Sequence, residues 1–342
     1  MTSPAQQLDP RTRAEEVWAR YRTDLEQVEA QLSANLRSDV ALVGEVARYV
    51  LGSGGKRFRP LVLAAAARMA GAVPDGESSP AMALLGAVVE YIHTATLLHD
   101  DVVDDGEIRR GQDAARALWG NAGSVLVGDY LYARALAMSV SVGDLDIVQA
   151  LTQAVEEMSE GEVFQLSVCG DAGLTEDSYL RIVELKTASL MATAARVGGM
   201  LGGVDAARCD ALAEYGRLMG IAFQVADDAL DYRSDTEVFG KALGGDLKDG
   251  KITLPLLYAL QRCDAAERAR VERIVARDDD APEEDLAFVL ALMDRYHALD
   301  DALERARGFS LRAREILTGA FPDGPHRQAL VNLAEYVVER DR

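Results

Sequence analysis

The sequence predicts an all-α protein whose helices close around a common apolar centre, and three observations carry that prediction. Apolar residues recur at three- and four-residue steps through most of the 342 residues. Good helix formers (Ala, Leu, Arg and Glu) dominate between the turns. Alternating strand patterns bounded by hairpin turns are missing. With 49% hydrophobic residues, the chain can bury a substantial core, and disorder and collagen-like character are excluded.

In chain order, Met1 to Leu36 is polar and charged, which fits neither a signal peptide nor an anchor. Residues 1–40 are expected to form a helical extension of a single domain spanning 1–342. A glycine turn at Gly52–Gly55 leads into Gly54-Gly55-Lys56-Arg57-Phe58-Arg59-Pro60, three cations closed off by proline. Beyond the Gly71–Pro80 turn, Leu84, Leu85, Val88, Ile92 and Ala95 share a helical face that ends in His99-Asp100-Asp101-Val102-Val103-Asp104-Asp105. Arg109 and Arg110 follow directly. Turns at Gly170–Gly173 and Gly199–Gly203 bound a helical stretch holding Lys186 and Thr187. The face Leu212, Tyr215, Met219, Ala222, Ala226 and Leu230 then carries Asp227-Asp228-Ala229-Leu230-Asp231 at its end. Further turns lie at Gly240–Gly250, Asp278–Pro282 and Pro322–Pro325. No fixed-period repeat and no interdomain linker is evident.

The two DDxxD clusters carry the chemistry. Positions i and i+4 of a helix stack, so Asp100 and Asp104 point the same way, as do Asp227 and Asp231, with Gln224 one turn earlier. Carboxylates held this way repel, and a hard divalent cation such as Mg²⁺ removes the penalty. Asp300-Asp301-Ala302-Leu303-Glu304 has similar spacing and is expected on a solvated face. The other two clusters differ from it: they end strongly apolar helices and have cationic neighbours. Only five lysines occur among the 36 basic residues, and Lys56, Lys186, Lys241 and Lys251 all fall in these elements, with Lys248 in the same loop as the last two. Carboxylates for metal and cations for phosphate imply a polyphosphate ligand. Neither GxxxxGK[ST] nor GxGxxG is present, and no nucleophile–histidine–acid set is evident.

The net charge of −20 argues against a nucleic-acid partner. No apolar run reaches the roughly 20 residues that span a bilayer. Cys169, Cys209 and Cys263 form no framework, which fits a reducing cytoplasm.

These residues resemble the trans-prenyl diphosphate synthases, most closely the long-chain bacterial members that make octaprenyl-like chains. The pieces that carry the resemblance are GGKRFRP (54–60), EYIHTATLLHDDVVDDGEIRRG (90–111), GNAGSVLVGDYLYAR (120–134), SEGEVFQL (159–166), ELKTASL (184–190), GIAFQVADDALDY (220–232) and GKALGGDLKDGKITLPLL (240–257). Asp105 is an extra acid after the first motif. The resemblance implies a helical bundle around a deep cavity, the two motifs facing each other across its mouth, and a homodimer. It implies Mg²⁺, three ions with substrate bound, held by Asp100, Asp104 and Asp227, with Asp101, Asp228 and Asp231 as close or water-mediated partners. Arg109, Lys186, Thr187, Gln224, Lys241 and Lys251 correspond to the allylic diphosphate site. Lys56, Arg57, His93 and Arg110 correspond to the isopentenyl diphosphate site, while a structural role is expected for His99. The implied activity is condensation of isopentenyl diphosphate with an allylic diphosphate. Ala95 and Thr96, small residues one turn below Asp100, should leave the growing chain room, giving a product of about C35–C45 at one isoprene per helical turn of about 5.4 Å.

Other readings are a short-chain (C15–C25) synthase, a terpene cyclase, a non-catalytic subunit of a heteromeric synthase, and a di-iron carboxylate oxidoreductase. The last needs two ExxH motifs; the chain offers Glu90–His93, and only Asp294–His297 as an imperfect second.

Overall fold

The computed structural model describes residues 9–233, 244–276 and 283–339. The described residues hold sixteen α-helices, one π-turn and one hairpin of two two-residue strands. The chain begins with α1 (Pro10–Arg20), α2 (Arg22–Asn35), α3 (Ala41–Gly52), α4 (Phe58–Met69) and α5 (Pro80–Val103). The hairpin β1 (Ile108–Arg109) and β2 (Gln112–Asp113) follows, then α6 (Ala115–Val140), α7 (Leu145–Ser167) and α8 (Glu176–Val183). The π-turn Glu184–Ala188 leads into α9 (Ser189–Leu201) and α10 (Ala206–Asp231). The remainder is α11 (Gly245–Lys248), α12 (Leu254–Arg262), α13 (Ala265–Val275), α14 (Glu283–Arg295), α15 (Ala298–Ala320) and α16 (Pro325–Glu339).

Two long helices organise the molecule. Ser79 starts α5 by accepting the Met82 N–H, with Pro80 in the first turn. Asp205 caps α10 by accepting the Arg208 N–H. The predicted apolar faces are where they should be: Leu85, Val88, Ile92 and Ala95 on α5, and Leu212, Tyr215, Met219, Ala222 and Ala226 on α10, are buried. The first face packs against α6, α2 and α4; the second packs against α9, α15 and the π-turn. One core cluster takes residues from α1 through α16. The N-terminal residues belong to it: α1 packs on α16, and Tyr91 of α5 donates to the Leu32 carbonyl of α2 at 2.6 Å.

Two expectations change. The Gly199–Gly203 turn starts later than predicted, because α9 runs on to Leu201. The glycines there serve helix contact: a Cβ on Gly198 would stand 2.6 Å from the Leu63 carbonyl of α4, so only glycine lets α9 and α4 approach this closely. Pro80–Val103, for its part, is long and apolar enough to cross a membrane by length and composition. Since 78% of its most apolar window is buried within the protein, it reads as a core helix.

Candidate active site

Helices α5 and α10 both end in aspartates, and a helix C-terminus already carries about half a negative charge. Each motif therefore adds carboxylates where the backbone field opposes them, and the surroundings answer with cations at the first and neutral hydrogen-bond donors at the second. Asp101 is buried, and its Oδ1 accepts from Arg109 Nε of the hairpin at 2.6 Å. Asp104, the residue that closes α5, pairs with Lys251 Nζ at 2.9 Å, and the same ammonium reaches Asp249 at 3.0 Å. The extra acid Asp105 adopts a left-handed conformation and pairs with Arg116 at 2.8 Å. Asp100 lies within hydrogen-bonding reach of Glu162 of α7, which pairs with Lys186 at 2.7 Å. Lys186 also donates to Gln165 at 2.8 Å.

Around the second motif, Asp228 is buried between two donors, Tyr179 Oη at 2.6 Å and Gln224 Nε2 at 2.7 Å. Thr187 Oγ1 donates to Gln224 Oε1 at 2.9 Å. Asp231 Oδ2 accepts the Asp246 N–H at 3.2 Å, and Asp227 is exposed. Lys251 is the link between the motifs. It belongs to the segment anchored by Asp231, yet its ammonium rests on Asp104. A cavity of about 120 Å³ lies at this junction, lined by Lys186, Thr187, Gln224, Asp228, Asp246 and Lys251 among others.

Crowded charge shows in the titration behaviour. Burial pushes the Asp228 carboxyl up to about 7 despite its two donors, and the charges of Asp227 and Asp231 act the same way. Glu162 is pushed up to about 7 by burial and by Asp100, against the pull of Lys186. Asp246 is raised well above the usual carboxylate range, first by burial and then by Asp228 and Asp231.

Lys186 and Thr187 sit in the π-turn, a wide turn that re-aims side chains at functional sites. Gly161 of α7 makes room for it: a Cβ there would lie 2.7 Å from the Lys186 backbone nitrogen and 2.9 Å from Leu185 Cβ.

The cationic turn divides its arginines. Arg57, in a left-handed conformation, is spent on Glu29 (2.5 Å), Glu90 (2.8 Å) and the Leu51 carbonyl (2.8 Å). Arg59 instead keeps its Nε buried without a hydrogen-bond partner, and burial pulls its guanidinium down to about 10. Its charge is felt by His93, whose imidazole is held well below the ordinary range by burial and then by Arg59, Arg110, Arg109 and Arg57. Arg110 takes a left-handed conformation and donates to the Gly54 carbonyl. Lys56 places its ammonium on Tyr336 of α16, at 2.5 Å from the hydroxyl. His99 meets the Val125 carbonyl of α6 at 3.1 Å. Ala95 is fully buried, and Thr96 Oγ1 donates to the His93 carbonyl at 2.7 Å. Lys241 lies outside the described residues.

Among the described residues, no three His, Cys, Asp or Glu side chains are gathered into a metal cage. Asp100, Asp104 and Asp227 are thus not a ready-made three-carboxylate set. The donor set still suits Mg²⁺, which is commonly held by one or two carboxylates plus substrate phosphates, and the hard oxygens at both helix ends supply those.

Glu162, Gln165 and Tyr179 were not singled out from the sequence, and Arg59, read there as one of the three cations of its turn, was given no substrate site. The three-residue step from Lys56 to Arg59, and that from Glu162 to Gln165, were available signals. Nothing in the sequence marks Tyr179.

The comparisons with known proteins agree with this geometry. Residues 40–293 match the polyprenyl synthetase family model. Over 319 residues the chain is 41% identical to octaprenyl diphosphate synthase of Escherichia coli, covering 93% of this chain and 96% of that one. A polyprenyl synthase from Caulobacter crescentus, solved with calcium and isoprenyl diphosphate, superposes with a TM-score of 0.90 at 40% identity, covering 96% of this chain and 98% of that one. A decaprenyl diphosphate synthase from Rhodobacter capsulatus superposes with a TM-score of 0.89 at 40% identity, covering 96% and 99%. The chain belongs to the polyprenyl synthetase family and is a prenyltransferase. Within that family it is of the long-chain bacterial type, and the fold is the all-α isoprenoid synthase bundle expected from the sequence.

Proposed function

We propose that this chain condenses isopentenyl diphosphate with an allylic diphosphate, repeatedly, to an all-trans product of about C35–C45, one helical turn of about 5.4 Å being opened per isoprene. The observation that carries the reading is Lys251, which ties the loop after the second aspartate cluster to Asp104 of the first, beside a cavity lined by Lys186, Thr187 and Gln224.

In this reading Lys186, Lys251 and Arg109 hold the allylic diphosphate, joined by Lys241, and exchange their present carboxylate partners for its oxygens. Divalent ions bound with it, Mg²⁺ here and three when substrate is present, would neutralise the leaving group from the side of Asp100, Asp104 and Asp227, with Asp101, Asp228 and Asp231 behind them. The allylic C–O bond breaks and its electron pair leaves with pyrophosphate. The Thr187–Gln224 pair turns oxygen dipoles toward the resulting carbocation. A new C–C bond forms to the double bond of isopentenyl diphosphate, and the proton that is lost goes to pyrophosphate. Losing one contact to developing charge typically costs about 10²–10³-fold in rate. Alignment of the two substrates contributes on the order of 7–11 kcal/mol.

Isopentenyl diphosphate is assigned to Lys56, His93 and Arg110, and here the geometry favours Arg59 over Arg57, because Arg57 is already neutralised by two carboxylates. A neutral His93 serves this site as a hydrogen-bonding group. The small Ala95 and Thr96 support the long product. We further assign the whole chain, 1–342, to one domain, which the continuous core supports. A homodimer is supported by Leu126, Val163 and Leu166, exposed apolar residues on α6 and α7. Cytoplasmic placement is supported by three unpaired cysteines.

The test incubates purified protein with Mg²⁺, labelled isopentenyl diphosphate and separate C5, C10, C15 and C20 primers, then sizes the dephosphorylated products. Extension to about C35–C45 is expected, in steps of one isoprene per roughly one helical turn of cavity. No extension of any primer would refute the reading, and products ending at C15–C25 would move it to the short-chain class.

A further inference from the structure

Lys56 is gripped from both ends of the chain. Trp18 of α1 donates its indole N–H to the Lys56 carbonyl at 2.6 Å, fixing the backbone of the turn. Tyr336 of α16 accepts from the Lys56 ammonium at 2.5 Å, and its ring centroid stands 5.2 Å from that nitrogen, within cation–π range. The two aromatic side chains meet edge to face, centroids 5.6 Å apart. The stack continues inward, Trp18 to Phe58 at 5.9 Å and Phe58 to Phe223 at 6.0 Å, one residue before Gln224. Next to Tyr336, Glu335 is held by Arg13 of α1 at 2.5 Å and by Arg314 of α15 at 2.9 Å. Tyr336 is only 8% exposed, so the hydroxyl is presented from a rigid base.

Trp18 and Tyr336 both lie outside residues 40–293, the span shared with the family model, whereas Lys56 lies inside it. A lysine on a four-carbon stem next to two glycines has many rotamers, and a diphosphate must immobilise it on binding. A partner that already holds both its carbonyl and its ammonium removes much of that ordering cost.

We propose that Trp18 and Tyr336 form an aromatic clasp that positions Lys56 for the diphosphate of isopentenyl diphosphate, so that the two chain ends set affinity for this substrate and not for the allylic one. The clasp rests on the assignment of Lys56 given under Proposed function. Tyr336 and Trp18 are positioning residues: neither touches the reacting atoms.

The test is steady-state kinetics on the full-length protein with Tyr336→Phe, Trp18→Phe, Lys56→Ala and the double variant Tyr336→Phe/Lys56→Ala, with thermal unfolding recorded for each. Tyr336→Phe keeps the ring and loses only the hydroxyl; Trp18→Phe keeps an aromatic ring in the stack but loses the N–H together with part of the ring area. Each single aromatic variant is expected to raise KM for isopentenyl diphosphate about 3–10-fold, as loss of one hydrogen bond implies, with kcat and the allylic KM within about twofold. Lys56→Ala should raise the same KM further, and Tyr336→Phe should add nothing in its background, the signature of coupled residues. An unchanged or lowered KM in Tyr336→Phe, an equal rise in both KM values, or full additivity with Lys56→Ala would overturn the clasp while leaving the site assignment intact. An unchanged KM in Lys56→Ala would overturn the assignment and the clasp with it.

Discussion

Neighbouring arginines of the GGKRFRP turn should fail in opposite ways. Arg57 and Glu90 form a buried pair at 2.8 Å, with side chains only 11% and 7% exposed. Breaking such a pair by removing one partner costs about 3–5 kcal/mol. Arg57→Ala belongs at the lower end, about 3 kcal/mol, because Glu90 also lies in the field of Arg59 and Arg110, and half-exposed Glu29 regains water. Arg59 is the reverse case. Its buried Nε has no partner to lose, so Arg59→Ala should change stability by less than about 1 kcal/mol while removing a desolvated cation from the ligand site. A hydrogen bond to a charged group is worth about 1.5–3 kcal/mol, which at 1.4 kcal/mol per decade is about 10–100-fold in affinity. The assay pairs urea unfolding with KM for isopentenyl diphosphate at saturating allylic substrate. Arg57→Ala should lower the unfolding midpoint and raise KM less than about threefold, whereas Arg59→Ala should leave the midpoint nearly unchanged and raise KM about 10–100-fold. If Arg57→Ala raised KM as much as Arg59→Ala with unfolding unchanged, the division of labour argued from these contacts would be wrong.

Three other outcomes are expected. His93 stays neutral in the fold, so below about pH 6.5 the unfolded chain takes up a proton that the folded chain refuses, and stability falls by up to about 1.4 kcal/mol per pH unit. His93→Gln should flatten that slope between pH 7.5 and 5.5, and parallel unfolding curves for the two proteins would reject the assignment. Ala95→Tyr places an aromatic ring one turn below Asp100 and should shorten the product by several isoprene units at about one per helical turn; an unchanged product distribution would show that Ala95 does not border the growing chain. Gly161→Ala drives a Cβ to 2.7 Å from the Lys186 nitrogen and should cost about 1–3 kcal/mol and at least tenfold in kcat, so wild-type activity and stability would refute the role given to the π-turn.

Legibility followed the physical period of each feature. The faces of α5 and α10 were readable because burial enforces a 3.6-residue repeat, and the aspartates at their ends stood out because charge seldom ends so apolar a run without a use. Pairings between distant segments were not readable: no local rule links Lys251 to Asp104, or Tyr179 to Asp228. The choice between Arg57 and Arg59 depended on Glu29 and Glu90, which come from α2 and α5 and are invisible from within the turn. The turn expected from Gly199 failed for a related reason. Glycine marks turns and close helix contacts alike, and only the packed neighbours tell them apart: the α4 backbone beside Gly198 and the Leu212 side chain of α10 beside Gly199. The π-turn left no sequence signal, since one extra residue in a helix turn does not disturb an apolar pattern already interrupted by Lys186.

The cations of the site are better understood as occupied than as available. Lys186 is held by Glu162 and Gln165, Lys251 by Asp104 and Asp249, and Arg109 by Asp101. In the reading proposed above, a diphosphate would offer those cations oxygens of higher charge, and the carboxylates they leave would then hold the divalent ions bound with it. Each such exchange would conserve the number of opposite-charge contacts, so binding would not strip any group of a partner at low dielectric, the step that would otherwise be most costly. Crowding of Asp228 and Glu162 is eased in another way: burial raises both carboxyls to about 7, so they carry less negative charge than their number implies.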